Sequence, residues 1–151
     1  MKSIKKRLHQ YCTRQVDDRI LTAQKAIQAA REAANDESKS SMGDKYETGR
    51  AMMQLEQEKY AGQLSNAIQL KKVLEQINPE KQASAQVELG SLVKTNYGYL
   101  YLSVSLGQIA LDDLQCFAVS PVSPIGKTCL GLQKGDTFTF NGRAYRLEEV
   151  G

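Results

Sequence analysis

Two short patterns in this chain carry the residue types that chemistry needs. The first is Gly43-Asp44-Lys45-Tyr46-Glu47, which sets two carboxylates three positions apart. If Asp44 opens a helix, both acids fall on one side near its N-terminus. Oxygen ligands held in this way suit a Mg²⁺ that keeps several waters and takes further ligands from elsewhere. The same spacing is also that of a capping box, in which Asp44 accepts from the backbone N–H of position 47 and Glu47 reaches back. A carboxylate occupied by backbone donors has fewer lone pairs for a metal, so the two roles compete. The second pattern is Ser120-Pro-Val-Ser-Pro-Ile-Gly-Lys-Thr-Cys-Leu-Gly-Leu-Gln-Lys-Gly-Asp136. Here Ser123 is placed to cap a short helix, Pro124 suits its first turn, Gly131 can end it, and Lys134-Gly135-Asp136 turns the chain into a strand.

The elements that must position these patterns are legible in periodicity. From about Ser3 to Ala34 there is no Gly or Pro, and Val16, Ile20, Ala23, Ile27, Ala30 and Ala34 recur at alternating spacings of four and three, the seam of a coiled coil. Asn35 to Asp44 breaks this pattern with turn-forming and capping residues. A second periodic stretch then spaces Tyr46, Met53, Tyr60, Ala67 and Leu74 by sevens, with Leu64, Leu70 and Ile77 on the same side. It ends before Asn78-Pro79, because proline cannot continue the helical ladder and disfavours helix in the residue before it. Two helices of similar length with a short connection predict an antiparallel hairpin over residues 1–79. At 1.5 Å per residue each arm of about thirty residues would reach roughly 45 Å, which predicts a tip far from any globular body.

After Pro79 the period changes to two. Val87 to Thr95, Tyr97 to Leu106, Gln115 to Ser120, Thr137 to Phe140 and Arg143 to Val150 read as strands, and Asn141-Gly142 is a two-residue hairpin turn between the last two. Residues 80–151 thus predict a small, mostly antiparallel sheet domain with one short helix, and the chain as a whole an α+β protein.

Composition bounds the function. The 151 residues are 41% apolar and 25% charged, the balance of a soluble globular protein, and no run long enough to cross a bilayer is present. The basic start Met1 to Arg7 lacks the apolar core of a secretory signal, so the cytoplasm is the expected compartment and no membrane partner is expected. Residues 1–80 carry fourteen Lys or Arg against eleven Asp or Glu, and residues 81–151 six of each, a balance too mild for a dedicated duplex-DNA binder. Lys5, Lys6 and Arg7, or Arg31 and Arg50, are the candidates for a local RNA phosphate contact, with solvated helix faces as the plainer reading. Tyr97, Tyr99 and Tyr101 alternate as a base-stacking platform would, and equally as a half-buried sheet face does. Cys12, Cys116 and Cys129 are widely spaced with no Cys-x-x-Cys pair, which argues for packing roles. His9 stands alone, too little for a zinc cluster or a triad.

With both halves in view, the chain resembles the Gre-type transcript cleavage factors of bacterial RNA polymerase, which join an N-terminal antiparallel coiled coil to an FKBP-like C-terminal domain. The resemblance covers nearly the whole chain. It rests most on Ser-Pro-x-Ser-Pro-Ile-Gly followed by Leu130-Gly131 and Gly135-Asp136, and at the turn on Gly43, Asp44 and Glu47. Where the family shows a serine before the glutamate, an asparagine after it and then an acid and a tyrosine, this chain has Tyr46, Thr48, Arg50 and Ala51. The resemblance implies that Asp44 and Glu47 are the catalytic, metal-delivering carboxylates, holding a Mg²⁺ shared with the polymerase active site and bound weakly by this protein alone. It implies that Ser123, Pro124 and Ile125 form the polymerase-docking surface. The expected protein is a monomeric elongation factor, a transcription protein working on DNA-bound polymerase, that enters the secondary channel and stimulates the polymerase's own cleavage of backtracked nascent RNA without being an enzyme itself. Two other readings stay open: a channel-binding regulator that competes or inhibits, which the four substitutions favour, and a prolyl isomerase or chaperone, suggested only by the architecture and opposed by the lack of tryptophan.

Overall fold

The computed structural model describes the backbone of residues 1–39 and 43–151 and the side chains of residues 1–35 and 48–151. Two long helices, α1 (Lys2–Lys39) and α2 (Gly43–Glu75), precede six strands: β1 (Leu92–Thr95), β2 (Gly98–Leu102), β3 (Gly107–Leu111), β4 (Leu114–Val119), β5 (Thr137–Phe140) and β6 (Arg143–Val150). A short helix α3 (Pro124–Cys129) joins β4 to β5. The chain is therefore α+β, a helical hairpin followed by a mostly antiparallel sheet. No helix among the described residues is long and apolar enough to cross a membrane.

The chain divides into two compact units, residues 14–71 and residues 1–13 with 72–151. The residues on both sides of Pro79, where the sequence places a boundary, fall together in the second of these.

Within the unit 14–71, Val16, Ala23, Ala30 and Ala67 are buried, and Ile20, Ile27, Met53, Tyr60, Leu64 and Leu70 are half-buried. These are the seam positions that the heptad spacing predicts. Asp17 and Lys71 are paired across the helices at 2.8 Å, an exposed pair worth at most about 1 kcal/mol. Apolar burial along the seam is thus the larger stabilising term. Of the ten residues expected to break the pattern, Asn35 to Asp44, five are helical at the end of α1, which runs on through Asn35 to Lys39, and Gly43 and Asp44 open α2. Asn, Asp and Ser are only a few tenths of a kcal/mol worse than average in a helix, too little to stop a ladder already formed.

In the other unit the strand order is β3-β4-β2-β1-β6-β5, with β2 and β4 parallel and every other neighbouring pair antiparallel. The strand β3 was not expected. Its signal is Asp112-Asp113, the two-residue turn that pairs Leu111 with Leu114, with Asp112 at φ 53°. Aspartate tolerates that left-handed conformation better than most residues. Asn141-Gly142 forms the expected turn, both residues at positive φ (50° and 76°) as a type I′ hairpin requires. The expected strand Val87–Thr95 is shorter, since regular pairing begins at Leu92 and only an isolated bridge joins Gln86 to Gln133.

The sheet is covered on both faces. Val93, Leu100, Leu102 and Leu147 pack with Cys129 of α3 and Phe138, while Tyr101, pointing the other way along β2, meets His9 of α1. Leu8 and Cys12 on the same helix are fully buried.

Gly126 admits no side chain. A Cβ on Gly126 would stand 1.9 Å from the Ser120 carbonyl oxygen, and nothing in that backbone can yield cheaply. Gly62, in α2, has open space around it. Gly126→Ala should destabilise the protein by about 3 kcal/mol or more, whereas Gly62→Ala should stabilise α2 by about 0.5–1 kcal/mol. Urea unfolding followed by circular dichroism checks both, and equal effects would contradict this packing.

Candidate functional site

Asp44 and Glu47 fall in the first turn of α2, three positions apart, and their side chains lie outside the described residues, as does that of Tyr46. Two carboxylates supply two or a few oxygens, whereas octahedral Mg²⁺ needs six donors. The donor set therefore fits a shared ion completed by a partner's ligands, not a closed site of its own. Among the described residues, no three His, Cys, Asp or Glu side chains gather into a metal-holding group.

The Ser-Pro stretch is fully described. The Ser123 Oγ accepts from the Gly126 N–H at 3.2 Å and donates to the Ser120 carbonyl at 2.6 Å, so its hydroxyl is occupied as donor and as acceptor. Its backbone is extended (φ −70°, ψ 159°), the conformation of an N-cap, and Pro124 follows at the first helical position. The Ser120 carbonyl also receives the Ser123 N–H at 3.0 Å, and the Ser120 Oγ receives the Val122 N–H at 3.1 Å. Ile125 is half-buried against the core cluster containing Cys129 and Phe138. Of the three expected docking residues, then, Ser123 and Ile125 hold the loop, and Pro124 is exposed. Beside it Val122 is 75% exposed, the most exposed of the large apolar side chains among the described residues. Sequence reasoning passed over it; an apolar residue between two prolines, outside any periodic register, was the available signal. The arrangement presents a rigid, partly apolar knob suited to a complementary protein surface.

Three residues singled out as nucleic-acid candidates sit otherwise. Lys5 is only 4% exposed, which removes it from any surface phosphate track. Arg7 is paired with Asp112 at 2.7 Å and Lys6 with Glu80 at 3.1 Å. The tyrosines do not form a platform: Tyr101 is fully buried, and Tyr97 lies in the turn before β2, its ring edge-on to Tyr145 at 5.0 Å and beneath the Arg143 guanidinium.

His9 has a specific partner. Its Nδ1 lies 2.7 Å from the Tyr101 hydroxyl, and with the ring proton on Nε2 the phenol donates to it. Burial, and then the nearby Lys5 ammonium, hold the His9 pKa below its ordinary 6.5. Burial also raises the Tyr101 phenol. The three thiols are buried and free, and burial pushes those of Cys12 and Cys129 up to about 11. Such thiols are poor nucleophiles and read as packing groups.

No protein-family model and no curated protein matches the chain.

Ser123→Ala removes the cap of α3 and leaves the Gly126 N–H and the Ser120 carbonyl each short of a partner. It should cost about 1–2 kcal/mol by urea titration, with Ser123→Asn milder. Acid should also weaken the fold. Because the unfolded chain takes up the His9 proton more readily than the folded one, the contribution is complete above about pH 6.5 and is lost as pH falls through and below that value. The midpoint of thermal unfolding should fall between ~pH 7.5 and ~pH 5, and His9→Gln should make that fall shallower.

Proposed function

We propose that this protein is a Gre-like elongation factor that docks on bacterial RNA polymerase, inserts its helical hairpin into the secondary channel and stimulates cleavage of backtracked RNA. The observation that carries this reading is the joining of helices of 38 and 33 residues at positions 40–42, with Asp44 and Glu47 in the first turn of the second. Rigid elements of this length suit reach, and a pair of carboxylates at the junction suits delivery of charge into another molecule's site. The exposed knob at Val122 and Pro124, on a loop fixed by the Ser120 and Ser123 hydrogen bonds, suits the docking contact.

In this mechanism the residues of the chain bind and orient. Pro124 and Val122 seat the sheet-bearing unit on the polymerase surface, and the hairpin carries Asp44 and Glu47 to the active centre. There Asp44 and Glu47 would supply two of the oxygen ligands of a Mg²⁺, and the chemistry such an ion would supply is Lewis-acid activation of water against an RNA phosphodiester. Because two ligands hold such an ion weakly, the protein has no hydrolytic activity of its own, and catalysis belongs to the complex.

A second reading, a channel-binding regulator that competes without stimulating, is favoured by Tyr46, Thr48, Arg50 and Ala51, which replace the polar and acidic residues that accompany the carboxylates in Gre-type factors.

A stalled bacterial elongation complex incubated with Mg²⁺ and this protein should yield shortened RNA. Asp44→Ala with Glu47→Ala should slow that shortening by at least about tenfold while polymerase binding persists, and Val122→Asp should weaken binding by about tenfold. Undiminished cleavage in the double variant rejects the tip assignment. Binding without stimulation by the unaltered protein selects the second reading, and absence of binding rejects both.

A further inference from the structure

Lys5 is a buried cation without a counter-ion. Its Nζ donates to the Lys81 carbonyl at 3.0 Å, and among the described residues no carboxylate lies within ion-pairing distance of it. The first turn of α1 holds no acid. Glu80 is engaged by Lys6 at 3.1 Å, and Glu88, whose carboxylate accepts from the Ser84 N–H, acts on Lys5 only from beyond contact. Burial therefore pulls the Lys5 pKa down, with Glu88 opposing. Withdrawing an ammonium from water costs several kcal/mol, and one neutral carbonyl does not offset it.

This cation lines a cleft of about 660 Å³, within the size range of small-molecule sites. Lys2, Lys81 and Lys134 line the same cleft, against Glu80 and Glu149. Glu80 already has Lys6, so the side chains lining the cleft carry more positive than negative charge. Pro79, Leu92 and Val150 supply apolar wall, and Gly151 closes one side by exchanging both backbone hydrogen bonds with Leu92 (2.6 and 2.9 Å).

We propose that this cleft binds a small-molecule phosphate, with Lys5 as the buried contact, Lys2, Lys81 and Lys134 around the anion, and the apolar wall against an organic substituent. Lysine ammoniums are flexible point charges suited to phosphate oxygens, and a dianion satisfies several of them at once where a carboxylate satisfies fewer. The site is independent of the hairpin tip and of the Ser-Pro loop.

The full chain is titrated with inorganic phosphate, glycerol 3-phosphate, acetate and chloride at matched ionic strength, read by amide chemical shifts and thermal unfolding. Both phosphates should shift the amides of residues 2–5, 81 and 134 and raise the unfolding midpoint beyond the chloride control. The ester should bind about fourfold or more tighter than phosphate, the gain from burying one methylene. Lys5→Met, which replaces the buried charge with a side chain of similar volume, should abolish the response without loss of fold. Lys134→Ala, an exposed change that leaves the fold intact, should weaken binding severalfold. The proposal is overturned if phosphate acts no differently from chloride, if acetate binds as tightly as phosphate, or if Lys134→Ala and a folded Lys5→Met respond like the unaltered protein.

Discussion

The sheet-bearing unit depends on the enclosure of the second half of β2. Leu100, Tyr101 and Leu102 are buried, as are Ser103 and Val104 just beyond the strand, while Gly98 and Tyr99 are half-buried. On its two edges β2 is held by β1, antiparallel, and β4, parallel. On its two faces it is covered from opposite directions, Leu100 and Leu102 by the α3 side and Tyr101 by the α1 side. A strand sealed in this way has no freedom of register, since a slip of one residue would send Tyr101 into the aliphatic cluster and the leucines toward His9. The His9 hydrogen bond is what makes the enclosure tolerable for a phenol, because a buried hydroxyl without a partner would cost about 1–3 kcal/mol.

Much of this was legible before any coordinates. The hairpin seam announced itself because small and apolar residues at Val16, Ala23, Ala30 and Ala67 answer to a local, one-dimensional rule. The turns at Asn141-Gly142 and at Gly135 were equally plain, for their backbone demands few residue types. What was not legible depended on distant parts of the chain. Nothing near Tyr99 or Cys116 reveals that β2 and β4 lie parallel, and β3 alternates in burial through only two apolar residues, Ile109 and Leu111, too short a pattern to stand out. The extension of α1 through Asn35 to Lys39 was hidden by residues whose capping preference was outweighed by the helix behind them.

The candidate sites divide along the same line. The Ser-Pro stretch was readable as a cap and a tight turn because its hydrogen bonds are local, Ser120 to Ser123 to Gly126. Its division of labour was not: that Ser123 and Ile125 face inward while Val122 and Pro124 face out follows from the core beneath. Lys5 was still further from view. It sits in a run of basic residues at the start of a helix, where solvent exposure is the ordinary expectation, and only the fold turns it inward. Asp44 and Glu47, conspicuous in the sequence, owe their reading to spacing and to the family resemblance.

The placement of the three cysteines gives the molecule an internal clock of its own opening. Cys12 belongs to α1, Cys116 to β4 and Cys129 to α3, and all three are sealed from solvent. Cys12 and Cys129 become reachable by an alkylating reagent only when α1 or α3 parts from the sheet, and Cys116 only when the sheet itself is uncovered or frays at β4, so the order in which the three are labelled under native conditions reports which part opens first. No reporter group has to be engineered in.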